Sequence, residues 1–164
     1  AEPVEDGATF AANALIKARA VAAHTHLPAV ADDSGLAVDI LGGAPGIFSA
    51  RWCGRHGDDR ANLELLVAQL ADVPPEHRGA AFVCAAALVL PDGTEVVTHG
   101  ELRGRLLTAP AGKGGFGYDP ILVPEGQTRS CAQLSADEKN AVSHRGKAFR
   151  ALAPRVVAAL GARG

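Results

Sequence analysis

Ala80-Ala81-Phe82-Val83-Cys84-Ala85-Ala86-Ala87-Leu88-Val89-Leu90 runs eleven residues without a charged or amide side chain and stops at Pro91-Asp92-Gly93. Such a run leaves no polar stripe for an amphipathic helix, and it falls well short of the roughly 20 apolar residues that span a membrane. It reads as a strand buried on both faces, turning at Pro91-Asp92-Gly93 through a hairpin into a second strand from Glu95 to Leu107. Helical patterns flank it. Phe10, Ala14, Ala18 and Val21 share one stripe of a helix from Thr9 to Ala23, and Leu63, Leu66, Val67 and Leu70 repeat as i, i+3, i+4, i+7 in a helix capped by Asp58 or Asp59. Ser135-Ala136-Asp137-Glu138 is a capping box that opens a short helix. The last helix carries Phe149, Leu152, Val156, Val157 and Leu160 on one face, with Pro154 inside it, where a kink or a lost hydrogen bond is expected. Pro28 to Ala31 is a short strand candidate running into Asp32-Asp33-Ser34-Gly35, and Leu36 to Leu41 alternates loosely before a turn-rich stretch from Gly42 to Gly46. Thr108 to Gln127 reads as a long Gly- and Pro-rich loop, and loops of that length are usually functional. The fold class is α/β with a mixed sheet, in one domain over residues 1–164.

Composition narrows the function. The 164 residues are 48% hydrophobic and 21% charged, which excludes a disordered chain, and the net charge of −2 with 4% aromatics gives no basic, aromatic-rich footprint for nucleic acid and no polybasic face for a membrane. Cys53, Cys84 and Cys131 are odd in number, widely spaced and without a C-x-x-C pair, so neither a disulfide framework nor a structural zinc site is expected, and a reducing cytoplasm fits.

Several places can carry chemistry. Asp32-Asp33 at a strand end offers the carboxylate oxygens that hard divalent cations take; strand residues alternate, so only one of the two can face a given metal. The same pair can also cap a turn at Ser34-Gly35. Glu5-Asp6-Gly7 adds acidic groups ahead of the first helix, on which Asn13 and Lys17 lie about 40° apart in projection. Gly112-Lys113-Gly114-Gly115-Phe116-Gly117 has the letters of a dinucleotide-binding motif, yet Tyr118-Asp119-Pro120 follows and Pro120 blocks the helix the motif needs. It is better read as a flexible loop presenting Phe116 and Tyr118, either to stack on a base or to cover the core. Asp119 can accept from a nucleobase or ribose, or cap the turn. Ser143-His144-Arg145 at a helix start, after Lys139, is a plausible anion site. No nucleophile elbow, S-x-x-K or P-loop is present.

Together these segments resemble one family. Ala31-Asp32-Asp33-Ser34-Gly35-Leu36-Ala37-Val38-Asp39, continuing through Leu41-Gly42-Gly43-Ala44-Pro45-Gly46 to Ser49-Ala50-Arg51, is similar to the signature of the inosine/xanthosine triphosphate pyrophosphatases. So are Thr9-Phe10, Asn13-Ala14, Lys17-Ala18, Gly115-Phe116-Gly117-Tyr118-Asp119-Pro120 and Ser143-His144-Arg145-Gly146, in the family's order over almost the whole chain.

The resemblance implies a two-lobed α/β fold with a central mixed sheet flanked by helices and an active site in the cleft between lobes. It implies magnesium-dependent hydrolysis of ITP, dITP and XTP to the monophosphate and pyrophosphate. Asp33 matches the catalytic carboxylate at the metal, Glu5 the second acidic group there, Asp32 an adjacent supporting residue, and Lys17 a lysine that reaches the phosphates. Ser34, Phe116, Gly117, Tyr118, Asp119, Lys139, His144 and Arg145 match substrate-binding positions, with Phe116 stacking on the purine. A homodimer is expected by the same analogy, with the apolar stretch around Ile47 and Trp52 as its interface; neither nucleic acid nor a membrane is an expected partner. The family opens with a strand and an S/T-x-N-x-x-K loop that grips the triphosphate; the sequence starts beyond that point, so this segment is expected to be missing from it. Ala12 stands where the family commonly has Glu, a change expected to be tolerated. The rival readings are a Maf-like pyrophosphatase for other modified nucleotides and a nucleotide-binding protein without turnover.

Overall fold

The computed structural model describes residues 2–161. Four strands, β1 (Ala29–Val38), β2 (Gly79–Val89), β3 (Glu95–Leu106) and β4 (Leu122–Pro124), form one antiparallel sheet in the order β1-β2-β3-β4. β3 and β4 pair with Gly104 opposite Pro124 and Leu106 opposite Leu122. Four α-helices accompany them: α1 (Phe10–Thr25), α2 (Asp59–Gln69), α3 (Ala136–Val142) and α4 (His144–Gly161). The α/β class is as the sequence implies, with a sheet that is antiparallel where the sequence predicts a mixed one. The strands joined by the Pro91-Asp92-Gly93 hairpin are antiparallel because a tight turn can return the chain no other way.

By its internal contacts the chain divides into two compact units, Ala1–Ser34 with Val83–Glu101 and Ser143–Gly164, and Gly35–Phe82 with Leu102–Val142. In the first unit, the alternation of β2 explains its unbroken apolar run. Ala85, Ala87 and Val89 pack with Ala14, Ala18 and Ala22 of α1, while Cys84, Ala86, Leu88 and Leu90 pack with Ala148 and Leu152 of α4. A strand covered by a helix on each face has no solvent side to mark with polar residues. Thr9 caps α1, its hydroxyl accepting from the Ala12 N–H at 3.1 Å. α4 runs through Pro154 as one helix.

In the second unit the core gathers Leu36, Val38, Leu63, Leu66, Leu70, Phe82, Leu102, Leu106, Tyr118, Ile121 and Leu122. Asp58 is the cap of α2, accepting from the Ala61 N–H at 3.1 Å. The Ser135 capping box closes as expected, with the Glu138 N–H and the Ser135 N–H each donating to the other residue's side chain at 3.1 Å.

Two further expectations are corrected. Asp32-Asp33-Ser34-Gly35 is neither a strand end nor a turn; β1 continues through it to Val38. The stretch from Thr108 to Gln127 is not all loop, since Leu122–Pro124 adds a fourth strand. Among the described residues no helix is long and apolar enough to cross a membrane.

Candidate functional site

The alternation of β1 sends Asp32 and Asp33 to opposite faces of the sheet. In the first unit, Asp33 faces α1, where Lys17 Nζ lies 3.6 Å from its Oδ1 and 3.3 Å from Glu5 Oε1. Asn13, one helical turn before Lys17 and buried, accepts the Gly7 N–H at 2.8 Å and hydrogen-bonds Asp33. A Cβ on Gly7 would lie 2.6 Å from Asn13 Oδ1, so only glycine lets the Glu5-Asp6-Gly7 strap come this close to the helix. Burial pushes the Asp33 carboxyl above its ordinary value; Lys17 pulls it down, Glu5 pushes it up, and the Asn13 bond pulls it down again. The result is a half-buried carboxylate that is a better proton acceptor than a surface one, with a cation shared between it and a second acid.

Asp32 does not join this group, which corrects the expectation that it supports the same site. It faces α4, meeting Arg145 Nε at 3.1 Å, and lies 3.7 Å from Cys84 Sγ. Ser34, two residues on and so on the same face, has a buried hydroxyl that meets the Cys84 thiol. His144 and Arg145 form the first turn of α4.

In the second unit the Gly-rich segment is a pinned turn rather than a flexible loop. Asp119 is buried, and its Oδ2 accepts the Phe116 N–H at 2.9 Å and the Lys139 ammonium. Gly115 makes this possible: its φ is +69°, and a Cβ there would fall 2.1 Å from the same oxygen. The Gly117 N–H donates to Asp59 Oδ2 at 3.2 Å, and the Gly114 N–H to the Ala132 carbonyl at 3.1 Å. Phe116 is left 74% exposed, with Lys139 Nζ 4.4 Å from its ring centroid. Tyr118 is not presented with it, contrary to expectation. Its ring is part of the core and its hydroxyl donates to the Ser49 carbonyl at 2.7 Å, since the turn that exposes one aromatic buries the next but one. Of the two readings of Asp119, the turn-forming one is what these contacts describe.

Residues 1–155 match the Ham1 family. The chain belongs to that family. Among relatives, the dITP/XTP pyrophosphatase of Streptomyces coelicolor is 72% identical over 157 residues, covering 96% of this chain and 78% of that protein. Among solved structures, the nucleoside-triphosphatase / dITP/XTP pyrophosphatase of Mycobacterium abscessus superposes with a TM-score of 0.83 at 60% identity, covering 94% of this chain and 81% of that one. A Ham1 protein from Coxiella burnetii gives 0.89 at 40% identity, covering 96% and 81%. The resemblance carried by the separate motifs thus extends over almost all of this chain.

The Ham1 family is generally divalent-metal dependent, and the donor set of the first unit fits a hard cation. Glu5 and Asp33 bring two carboxylates to one ammonium, and carboxylate oxygens are the donors a hard divalent cation takes alongside substrate phosphates. Among the described residues no group of three or more His, Cys, Asp and Glu comes together as an all-protein cage.

Sequence reasoning missed Arg78 altogether. It is 3% exposed and donates to the carbonyls of Leu70, Val73, Leu106 and Leu107 at 2.7–3.1 Å. It thereby ties the end of α2 to the end of β3, just before the segment that carries Phe116. A lone arginine next to the apolar β2 run was the signal available.

Proposed function

We propose that this chain hydrolyses deaminated purine nucleoside triphosphates, ITP, dITP and XTP, to the monophosphate and pyrophosphate, with magnesium. The Glu5–Lys17–Asp33 group carries this reading, supported by the identity to dITP/XTP pyrophosphatases. Glu5 and Asp33 would hold the magnesium, which supplies charge neutralisation on the phosphates and a more acidic water. The Asp33 carboxylate takes a proton from the water that attacks the α-phosphorus, and the bond to the pyrophosphate oxygen breaks. Burial raises the affinity of that carboxylate for the proton, which suits a general base. Lys17 leaves its two carboxylates to balance charge on the phosphates, an electrostatic role typical of phosphoryl chemistry.

For the base, Phe116 offers an exposed stacking face, with Gly117 and Asp119 shaping its turn and the Lys139 ammonium over one side of the ring. Inosine and xanthosine present a 6-oxo acceptor where adenosine presents an amino donor, so His144, Arg145 or backbone N–H groups donate to the former and are left unpaired by the latter. Guanosine shares the 6-oxo group and is excluded at position 2, where its amino donor meets Arg145, another donor. Sites built this way discriminate by about 10⁴–10⁵. Ser34 is a further polar contact in this reading, its hydroxyl lying on the Asp32 face of β1 beside the Cys84 thiol. We also propose a homodimer using the surface around Ile47 and Trp52, where Phe48 is 47% exposed, and a cytoplasmic protein, consistent with its free thiols.

Product analysis with magnesium and ITP, XTP, dITP, GTP and ATP tests the reading. Pyrophosphate from only the first three is expected. Release of single phosphate, or equal use of ATP, would overturn it, and silence with all five would favour a binding protein without turnover.

A further inference from the structure

Asp32 sits beside the proposed base yet belongs to a different set of contacts. Arg145 reaches it through two nitrogens, Nε at 3.1 Å from Oδ2 and Nη2 at 3.3 Å from Oδ1, an arrangement that fixes the plane of the guanidinium as well as its distance. The guanidinium carbon lies 5.1 Å from the centre of the Phe149 ring, one turn along α4. Asp32 is itself held: Cys84 Sγ is 3.7 Å from Oδ2, and burial pushes that thiol up to about 11, so it keeps its proton and faces the carboxylate as a donor.

The backbone carrying Arg145 is fixed as closely. A Cβ on Gly100 of β3 would fall 2.0 Å from the His144 carbonyl oxygen and 2.5 Å from the Ala148 nitrogen, so a glycine is needed for the first turn of α4 to seat where it does. Thr98 Oγ1 donates to the Ala148 carbonyl and Lys147 Nζ to the Glu101 carbonyl, both at 2.8 Å. The Arg145 side chain is nonetheless 64% exposed, and an ion pair that open adds little to stability. What such an arrangement determines is where the exposed guanidinium points.

We infer that Asp32 is a positioning residue, which aims Arg145 at the purine base and takes no part in metal binding or proton transfer. This rests on the reading of Arg145 as a base contact. Asp32 then governs base affinity and selectivity, while its neighbour Asp33, on the other face of the same strand, governs turnover. Two adjacent aspartates thus divide the work because a strand presents successive residues to opposite sides.

IMP carries the base and is the product of the proposed reaction, so its equilibrium binding reads base recognition without turnover. Titration calorimetry with IMP on wild type, Asp32→Asn, Arg145→Ala and the double variant, alongside kcat, KM and magnesium half-saturation with ITP, separates the roles. Asp32→Asn should weaken IMP by about ten-fold, the order expected for a charge-assisted hydrogen bond. The double variant should bind no more weakly than Arg145→Ala alone, and Asp32→Glu, which keeps a carboxylate for the guanidinium, should recover part of the loss. KM for ITP should follow IMP, with kcat and magnesium half-saturation moving less than about two-fold. Losses that multiply in the double variant, a wild type that does not bind IMP, or a ten-fold fall in kcat or shift in magnesium dependence in Asp32→Asn would each overturn the inference. If wild type shows the coupled IMP binding but releases no pyrophosphate from ITP, the catalytic reading fails and the positioning role stands. Turnover of ITP with uncoupled losses gives the reverse.

Discussion

Replacing Arg78 by methionine keeps an unbranched apolar stem, two atoms shorter, and removes the guanidinium from a site that is 3% exposed. Four carbonyls lose a donor: Leu106 from Nε at 2.9 Å, Leu70 and Val73 from Nη1 at 2.7 and 3.1 Å, and Leu107 from Nη2 at 2.8 Å. They are not equal. The Leu70 carbonyl keeps the Val73 N–H at 3.0 Å, so its loss is partial. Leu70 is also the C-cap of α2, where the helix dipole favours a cation, and that contribution goes with the charge. Counting about 1 kcal/mol for each of the other three carbonyls left short in a dry environment, and somewhat more for the helix end, gives about 3–5 kcal/mol. For a chain of this size that lowers Tm by about 6–20 °C. Thermal unfolding followed by circular dichroism, with urea denaturation as a second measure, reads it directly. Arg78→Lys should recover only a fraction, because one ammonium cannot reach four carbonyls spread over α2, the turn after it and β3. A loss below about 1 kcal/mol in Arg78→Met would show that water replaces the guanidinium at this junction, and the reasoning from burial would be wrong.

Asp33→Asn should abolish ITP turnover, by at least about a hundred-fold, and should not destabilise the fold at neutral pH. The sign follows from burial: a carboxyl raised above its unfolded value holds its proton more tightly when folded, so stability falls as pH rises through that window, and asparagine removes the penalty; a lower Tm at pH 7 than wild type would contradict this. For the same reason the Asp33 carboxyl of the metal-free protein should titrate above the ordinary carboxylate range, read from its side-chain carbon shift against pH by NMR; titration within or below that range would contradict the burial argument. Phe116→Ala should weaken IMP by about ten- to a hundred-fold through a lost stack and leave Tm unchanged, the ring being exposed; a fall in Tm without a change in IMP affinity would place the ring in the fold instead. Arg145→Ala should narrow the preference for ITP over GTP, measured as a ratio of kcat/KM, and an unchanged ratio would remove Arg145 from base selection.

The parts of the fold legible in the sequence are those set by local patterns. The β2 run, the hairpin after it and the Ser135–Glu138 capping box each state their structure within a dozen residues; the α1 stripe holds at Ala14 and Ala18, while Val21 is exposed and Ala22 takes the buried place. β1 was harder because Asp32-Asp33-Ser34-Gly35 has the composition of a turn and sits inside a strand. Pairing beside β2 overrides that local preference, as strand propensity commonly yields to context. β4 is three residues in a Gly- and Pro-rich stretch, too short to show an alternation. The fate of Tyr118 was open for a related reason: two aromatics in one turn look alike until the backbone, shaped by the positive φ of Gly115, buries one and exposes the other.

The candidate site was legible in its residue types and less so in its grouping. Asn13 and Lys17 could be placed on one face of α1 from helix geometry, and the structure brings Asn13 and Lys17 together with Glu5 and Asp33. What no spacing could give is which of two adjacent aspartates joins them, since that depends on the helix each face of β1 meets. Ala29 and Ala31 pack with α1, so Asp33, two residues on, shares that face, and Asp32 is left to α4 and Arg145. Had α1 covered the other face, the same six letters from Ala29 to Ser34 would have put Asp32 beside the lysine. The division of roles between the two carboxylates is therefore written in the packing of the helices, and the sequence motif alone is equally consistent with either.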